Sequence, residues 1–144
     1  MIRMDIKDIL ILVRLYPMQK QYFGIKYPFT DNGIQRYVFD MNETQKERVA
    51  SDILHVLFTP KGQRLRSPLF GTDLIKYKFE PNDGMSWNAI KNEIRDTVSK
   101  WVRGVTINNI EVLASRDGIE VYVRIDYTVV DGNSTYNNSI AVQL

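Results

Sequence analysis

Cysteine is absent from this chain, and histidine occurs once, at position 55. Without thiols there is no disulfide framework and no thiolate nucleophile. That absence agrees with folding in a reducing cytoplasm. A lone imidazole excludes any site built from clustered histidine ligands. Charge of one sign is scarce too. Nineteen Lys and Arg stand against 17 Asp and Glu, a net charge of +2, so nothing draws the whole chain toward nucleic acid or an anionic membrane. Lys61, Arg64 and Arg66 fall close together, but three charges suit a solvated rim better than a phosphate track. Long hydrophobic runs are also missing. Ile2 to Leu15 is rich in apolar residues, with Ile9 to Val13 uninterrupted, yet Asp5, Lys7, Asp8 and Arg14 break it. It is too short and too charged to span a bilayer, and no small-residue cleavage site follows it. Residues 1–22 are expected to form an N-terminal arm or short helix that lies against its own domain or a neighbour.

What is present fits one globular domain over residues 23–144. The chain has 144 residues, 44% of them apolar and 25% charged, enough for one real core and no second domain. Tyr27-Pro28 forces extended backbone before the proline. Asp31-Asn32-Gly33 is a turn signal, and Tyr37, Phe39 and Met41 alternate as a short strand does. The aromatics Tyr22, Phe23, Tyr27, Phe29, Tyr37 and Phe39 read as packing on the core or a partner. A stacking platform for bases or sugars is the alternative.

Two helices stand out. Thr44 followed by Glu47 is a capping-box pattern. Val49, Ile53, Val56 and Leu57 then recur at helical spacing until Pro60 ends the run, with His55 at the margin of the stripe. In the second helix Ser86 is the expected cap, and Trp87, Ile90, Ile94, Val98 and Trp101 form the apolar face. Gly104 suits the left-handed position after its end. The connector between the helices carries Thr59-Pro60-Lys61-Gly62, read as a type I turn with proline second and glycine fourth. Extended backbone is expected from Gln63 to Arg66, then a turn at Ser67-Pro68. At Gly71 a side chain would clash or φ must be positive. Gly62 and Gly71 are too far apart for a phosphate-binding loop, and neither precedes a lysine.

The C-terminal third reads as β-structure. Val105 and Ile107 share one phase and Ile110, Val112 and Ala114 the other, which predicts a bulge across Asn108-Asn109. Arg116-Asp117-Gly118 marks a hairpin turn. Ile119 to Val129 alternates without a break, and Asp131-Gly132-Asn133 turns the chain into a last strand bearing Ile140, Val142 and Leu144. The expected fold is α+β, with two main helices packed on a small antiparallel sheet. Tyr136 to Leu144 carries no charge and no proline. It is therefore either an undefended edge suited to a donated strand or an interior strand that needs no defence.

No catalytic, cofactor-binding or metal-binding constellation emerges. Glu80, Asp83 and Glu93 are carboxylates without the paired spacing that glycoside hydrolysis needs.

The run Leu54-x-x-Leu57-x-Thr59-x-Lys61-Gly62-x-Arg64, then Pro68-x-Phe70-Gly71-Thr72-x-Leu74, then Phe79-Glu80-Pro81, resembles the small baseplate wedge subunit of contractile phage tails. That family includes a type VI secretion baseplate component. Phe23 to Phe29 resembles the lead-in of phage members, and the likeness runs from Phe23 to the C-terminus. One departure follows the second helix. The family shows an aromatic and then Glu-Pro-Arg, whereas this chain has Trp101-Val102-Arg103-Gly104.

The resemblance implies a non-enzymatic virion protein of the tail baseplate, assembled in the host cytoplasm. It would bind neighbouring wedge proteins and the tail sheath, with tube or hub proteins as further candidates, and would offer strands within Ile119–Val130 and Tyr136–Leu144 to the first sheath ring. The candidate partner-binding residues are Lys61, Gly62, Arg64, Pro68, Phe70, Gly71, Trp101, Arg103, Ile140, Val142 and Leu144. No cofactor, nucleic acid or membrane is expected. The alternatives are a type VI baseplate subunit, a regulatory binding module of the same fold, and a peptidoglycan-degrading tail lysozyme.

Overall fold

Residues 21–29, 40–77, 84–115 and 120–144 are described by the computed structural model of the chain. Residues 1–20 of the N-terminal arm, the turn at Asp31–Gly33, Tyr37, Phe39, the run Phe79–Pro81, Asp83 and the turn at Arg116–Gly118 lie outside them.

Helix α1, Gln45–Phe58, opens on the predicted cap. The Glu47 amide donates to Thr44 Oγ1 at 3.2 Å. The Glu47 carboxylate reaches back to the amide of Glu43 at 2.9 Å, one residue before the cap itself. Two orphan donors are thereby satisfied. Thr44→Ala should cost about 1 kcal/mol, measured as a shift in urea midpoint at constant slope. The helix stops because Thr59 is extended, with φ −90° and ψ 113°, ahead of Pro60.

A short helix α2, Leu74–Tyr77, precedes helix α3, Gly84–Trp101. The second long helix thus begins two residues before Ser86, which lies inside its first turn rather than capping it. The stripe itself holds. Ile90, Ile94 and Val98 are buried, with Trp87 and Trp101 packed at its two ends. After the helix Gly104 takes φ +74°, as its place required.

Strands β1 (Val105–Ala114), β2 (Val121–Asp131) and β3 (Ser134–Gln143) form an antiparallel sheet in the order β1-β2-β3. The register of β1 on β2 slips between Ile107 and Asn109, at the phase switch visible in the sequence. Val121, Val123, Ile125, Tyr127 and Val129 all face inward and are buried against the helices. Gly132 and Asn133 make a two-residue loop between Asp131 and Ser134. Gly132 has φ +56° while Asn133 stays out of the left-handed region, the arrangement of a type II′ hairpin. Met41 forms an isolated antiparallel bridge with Ile25, and no strand continues through it among the described residues.

The helices cover one face of the sheet, and among the described residues the other face is open, which is why β2 alternates so strictly. Tyr127 is the largest fully buried side chain. Its hydroxyl accepts from Asn138 Nδ2 on β3 at 3.0 Å, so the polar end of the ring is not left unpaired.

Candidate partner-binding site

The connector Thr59–Asp73 is not extended; it is folded tightly on itself. The Gln63 amide donates to the Pro60 carbonyl, so Pro60 takes the first position of the turn and Gly62, at φ +89°, the third. That is the type II pattern, one residue later than the sequence suggests. The stretch expected to run straight makes two further turns. Ser67 donates to Arg64 and Phe70 donates to Ser67, at 3.1 and 2.9 Å. The Gly62 amide donates to Pro68 at 2.8 Å and closes residues 62–68 into a ring. Backbone bonds satisfied within the loop outcompete an extended path that has no neighbour to pair with.

Three side-chain contacts fasten this loop to the helices. Lys61 binds Glu93 of α3 and Asp73, the latter at 3.3 Å. The hydrogen bond to Glu93 and then the two carboxylate charges hold Lys61 above its usual pKa. Lys76 first, then Lys61, holds Asp73 below the usual carboxylate range. The Arg64 guanidinium carbon sits over Phe70, 3.8 Å from the ring centroid, and Phe70 meets Trp101 edge to face at 5.2 Å. The third fastening is a 3.2 Å contact between Arg64 Nη2 and His55 Nε2. A guanidinium only donates, so Nε2 must accept and the proton of His55 sits on Nδ1.

Burial and the Arg64 charge both lower the His55 pKa, while Asp52 opposes them. A histidine held neutral in the fold stabilises it above its unfolded pKa. That contribution is lost as pH falls below about 6.5 and levels off under the folded value. Urea midpoints measured from pH 7.5 to 5 should fall for this chain, and the His55→Gln variant should lose that part of the slope.

The sheet edges carry the other half of the site. Leu144 donates to the carbonyl of Val121 at 2.9 Å, and the register from Tyr122↔Gln143 to Asp131↔Ser134 is unbroken. Opposite residues in an antiparallel pair alternate between exchanging bonds and not. The even positions of β3 from Ser134 to Leu144 therefore bond to β2. The backbone groups of Thr135, Asn137, Ser139, Ala141 and Gln143 point away from it. β3 is thus an edge among the described residues. β2 is bonded on both sides and has no free edge, so the expectation that Ile119–Val130 receives a strand fails for a topological reason.

The β1 edge is interrupted by its bulge and carries Glu111, whereas β3 has no bulge and no charge. Bulges and charges are what keep edges from pairing. Only β3 lacks both defences.

The candidate residues fall in three places. Lys61, Gly62, Arg64, Pro68, Phe70 and Gly71 belong to the connector, and Trp101 joins them through Phe70. Phe70 and Gly71 are buried, so they shape the surface rather than form it. Ile140, Val142 and Leu144 lie on the inner face of β3, where Val142 is buried. The connector and β3 meet around an apolar cavity of 170 Å³ lined by Leu57, Phe58, Pro60, Leu74, Ile75 and Leu144. Arg103 is exposed elsewhere, beside Gln45 and Arg48 at the start of α1.

Glu93, once a candidate carboxylate, accepts from both Lys61 and the Asp73 amide. Glu80 and Asp83 lie outside the described residues. Sequence reasoning missed the exposed Leu65 and Leu69 at the turn tips. Their only signal is that two leucines flank a proline in an otherwise polar loop. It also missed buried Asn42, which accepts from Ser51 and donates to the Ile25 carbonyl, tying residues 23–27 to α1.

The described residues form a helix-on-sheet domain with a fastened connector and one undefended sheet edge. Residues 43–134 match the family described as baseplate wedge protein gp25, and the chain belongs to that family. It is a structural component of a phage-type tail baseplate.

Three solved structures share the fold. A candidate tail lysozyme of Geobacter sulfurreducens superposes with a TM-score of 0.59 at 20% identity, over 70% of this chain and 92% of that one. A chain of the anti-feeding prophage baseplate gives 0.56 at 10% identity, over 81% of each. A chain of the postcontracted pyocin R2 baseplate gives 0.51 at 15% identity, over 76% and 93%. No curated protein sequence matches the chain.

Proposed function

We propose that this wedge subunit nucleates the tail sheath by accepting a sheath strand along β3, while the connector holds neighbouring wedge proteins. The observation that carries the reading is the contrast between the two sheet edges. β3 presents five consecutive outward-facing backbone positions, from Thr135 to Gln143, with no charge, proline or bulge among them. A strand added there gains main-chain hydrogen bonds at once, the physics of strand complementation. Its inward side chains would continue the layer of Ile140, Val142 and Leu144 and meet the apolar cavity at the strand's end. Assembly in the host cytoplasm belongs to the same reading.

Hydrogen exchange tests it residue by residue. In the isolated chain the amides of Asn137, Ser139, Ala141 and Gln143 should exchange fast, and those of Asn138, Ile140 and Val142 slowly. In particles carrying sheath the odd set should slow by about a hundredfold or more, since paired core amides approach global protection. Fast exchange of the odd set in sheathed particles would remove the reading.

A further inference from the structure

The ring closed between Gly62 and Pro68 raises a question that the fold alone does not answer. Its base is held by several independent contacts: the Lys61 pairing with Asp73 and Glu93, the Arg64 stack on Phe70, and the Arg64–His55 contact. Its tip stands out from the domain. Leu65 is 97% exposed and Leu69, on the following turn, is 65% exposed. Single exposed leucines are ordinary. Two on consecutive hydrogen-bonded turns are a fixed shape, whose side chains are already in place before any partner arrives.

Charge narrows what that partner is. Lys61 is neutralised by two carboxylates and Arg64 is seated on an aromatic ring. Arg66, exposed between Leu65 and Leu69 in the chain, has no carboxylate partner among the described residues. Asp73, the carboxylate closing the connector, is committed to Lys61 and Lys76. The tip is therefore apolar with one uncompensated cation.

We infer that Leu65, Arg66 and Leu69 form a docking knuckle that enters an apolar socket on a neighbouring baseplate protein, with an aspartate or glutamate on the socket rim pairing with Arg66. The inference rests on the reading of the connector as the wedge contact, and it names the residues and the partner's chemistry. Leucine supplies apolar burial in the socket. The planar guanidinium recognises a carboxylate through two parallel hydrogen bonds, which fixes the angle of entry. The residues beneath the tip, Arg64 and Phe70, keep it from folding back and touch the partner little.

Photo-crosslinking in assembling particles tests this. The probe is p-benzoylphenylalanine in place of Leu65, or of Leu69, in the full chain, with Thr106 on the open sheet face as the control position. Both connector positions should crosslink to the same protein other than sheath, on a segment that mass spectrometry shows to be apolar and to contain a carboxylate. Arg66→Glu should lower the yield by about tenfold, because it sets like charges together, and Arg66→Lys should retain part of it. The isolated variants should melt close to the parent, since these side chains are mostly exposed.

Crosslinks to nucleic acid, to a segment without a carboxylate, or to two unrelated proteins would overturn the inference. So would a yield unmoved by Arg66→Glu, or no crosslink in complete particles. Sheath seeding, read on the same particles, reports separately on β3: its loss with the crosslinks intact falls on the strand reading alone.

Discussion

Gly71→Ala should destabilise this domain more than the same change at any other described glycine. Gly71 has φ +102°, a conformation that costs an L-residue about 1–2 kcal/mol. A Cβ built there lies 2.9 Å from the carbonyl carbon of Thr59 and nearer still to its oxygen. The obstacle is backbone, and backbone held on both sides. Thr72 donates its amide to the Thr59 carbonyl at 2.9 Å, and Lys61 donates back to Thr72 at 3.1 Å. The Thr72 hydroxyl donates to the carbonyl of Leu57. Making room means breaking the Pro60–Thr72 bridge and lifting the connector off the end of α1. Strain and lost bonds together should cost about 3–4 kcal/mol, a fall in Tm of roughly 10 °C for a domain this size. Gly62→Ala is the control. It also has positive φ, but open space surrounds its Cβ position, so it should cost only about 1–2 kcal/mol. Equal melting temperatures for the two variants would show that the close approach at Gly71 is not what fixes the connector.

The second large effect separates folding from docking within two adjacent residues. Ile140→Pro removes an amide that bonds to Ile125 on β2 and should destabilise the chain by about 3 kcal/mol, seen as a matching fall in Tm. Ala141→Pro removes an amide that points outward. Proline is tolerated on an edge strand when its missing donor faces solvent, so the isolated chain should melt within a few degrees of the parent. Sheath seeding on baseplates carrying Ala141→Pro should nonetheless fall by about tenfold or more, since the incoming strand loses a bond and meets the ring. Ala141→Val, which keeps the donor, should seed normally. If Ala141→Pro seeds sheath as well as the parent, strand addition along β3 is wrong even though the fold is right.

The parts of this molecule legible in the sequence are those governed by local periodicity. The stripes of both long helices, the bulge at Asn108-Asn109 and the alternation of β2 follow from which side chains must leave water, and each stands where the spacing put it. Gly71 was legible because glycine is the residue that adopts φ +102° without strain. The errors arose where bonds form across the chain. The turn at Pro60 slipped by one residue because the parallel bridge to Thr72 sets its start. The stretch from Gln63 to Arg66 folded because Pro68, six residues from Gly62, offers its carbonyl to the Gly62 amide.

Strand order is likewise invisible to periodicity. An edge strand and an interior one can carry the same letters, and only the topology shows that, among the described residues, β3 has no outer neighbour while β2 is saturated. Of the candidate site, the connector was recognisable by its spacing. The network of Asn42, Ser51 and the Tyr27 amide was not, since nothing in three scattered polar letters announces a shared contact.

A density map of a sheathed, uncontracted particle, resolved well enough to trace strands, tests the central claim most directly. The account predicts a fourth strand from the sheath protein lying along Thr135–Gln143 and bonded to the odd-numbered backbone groups. A bare β3 edge in such a particle, or that edge paired with another copy of this same chain while the sheath rests elsewhere, would contradict it.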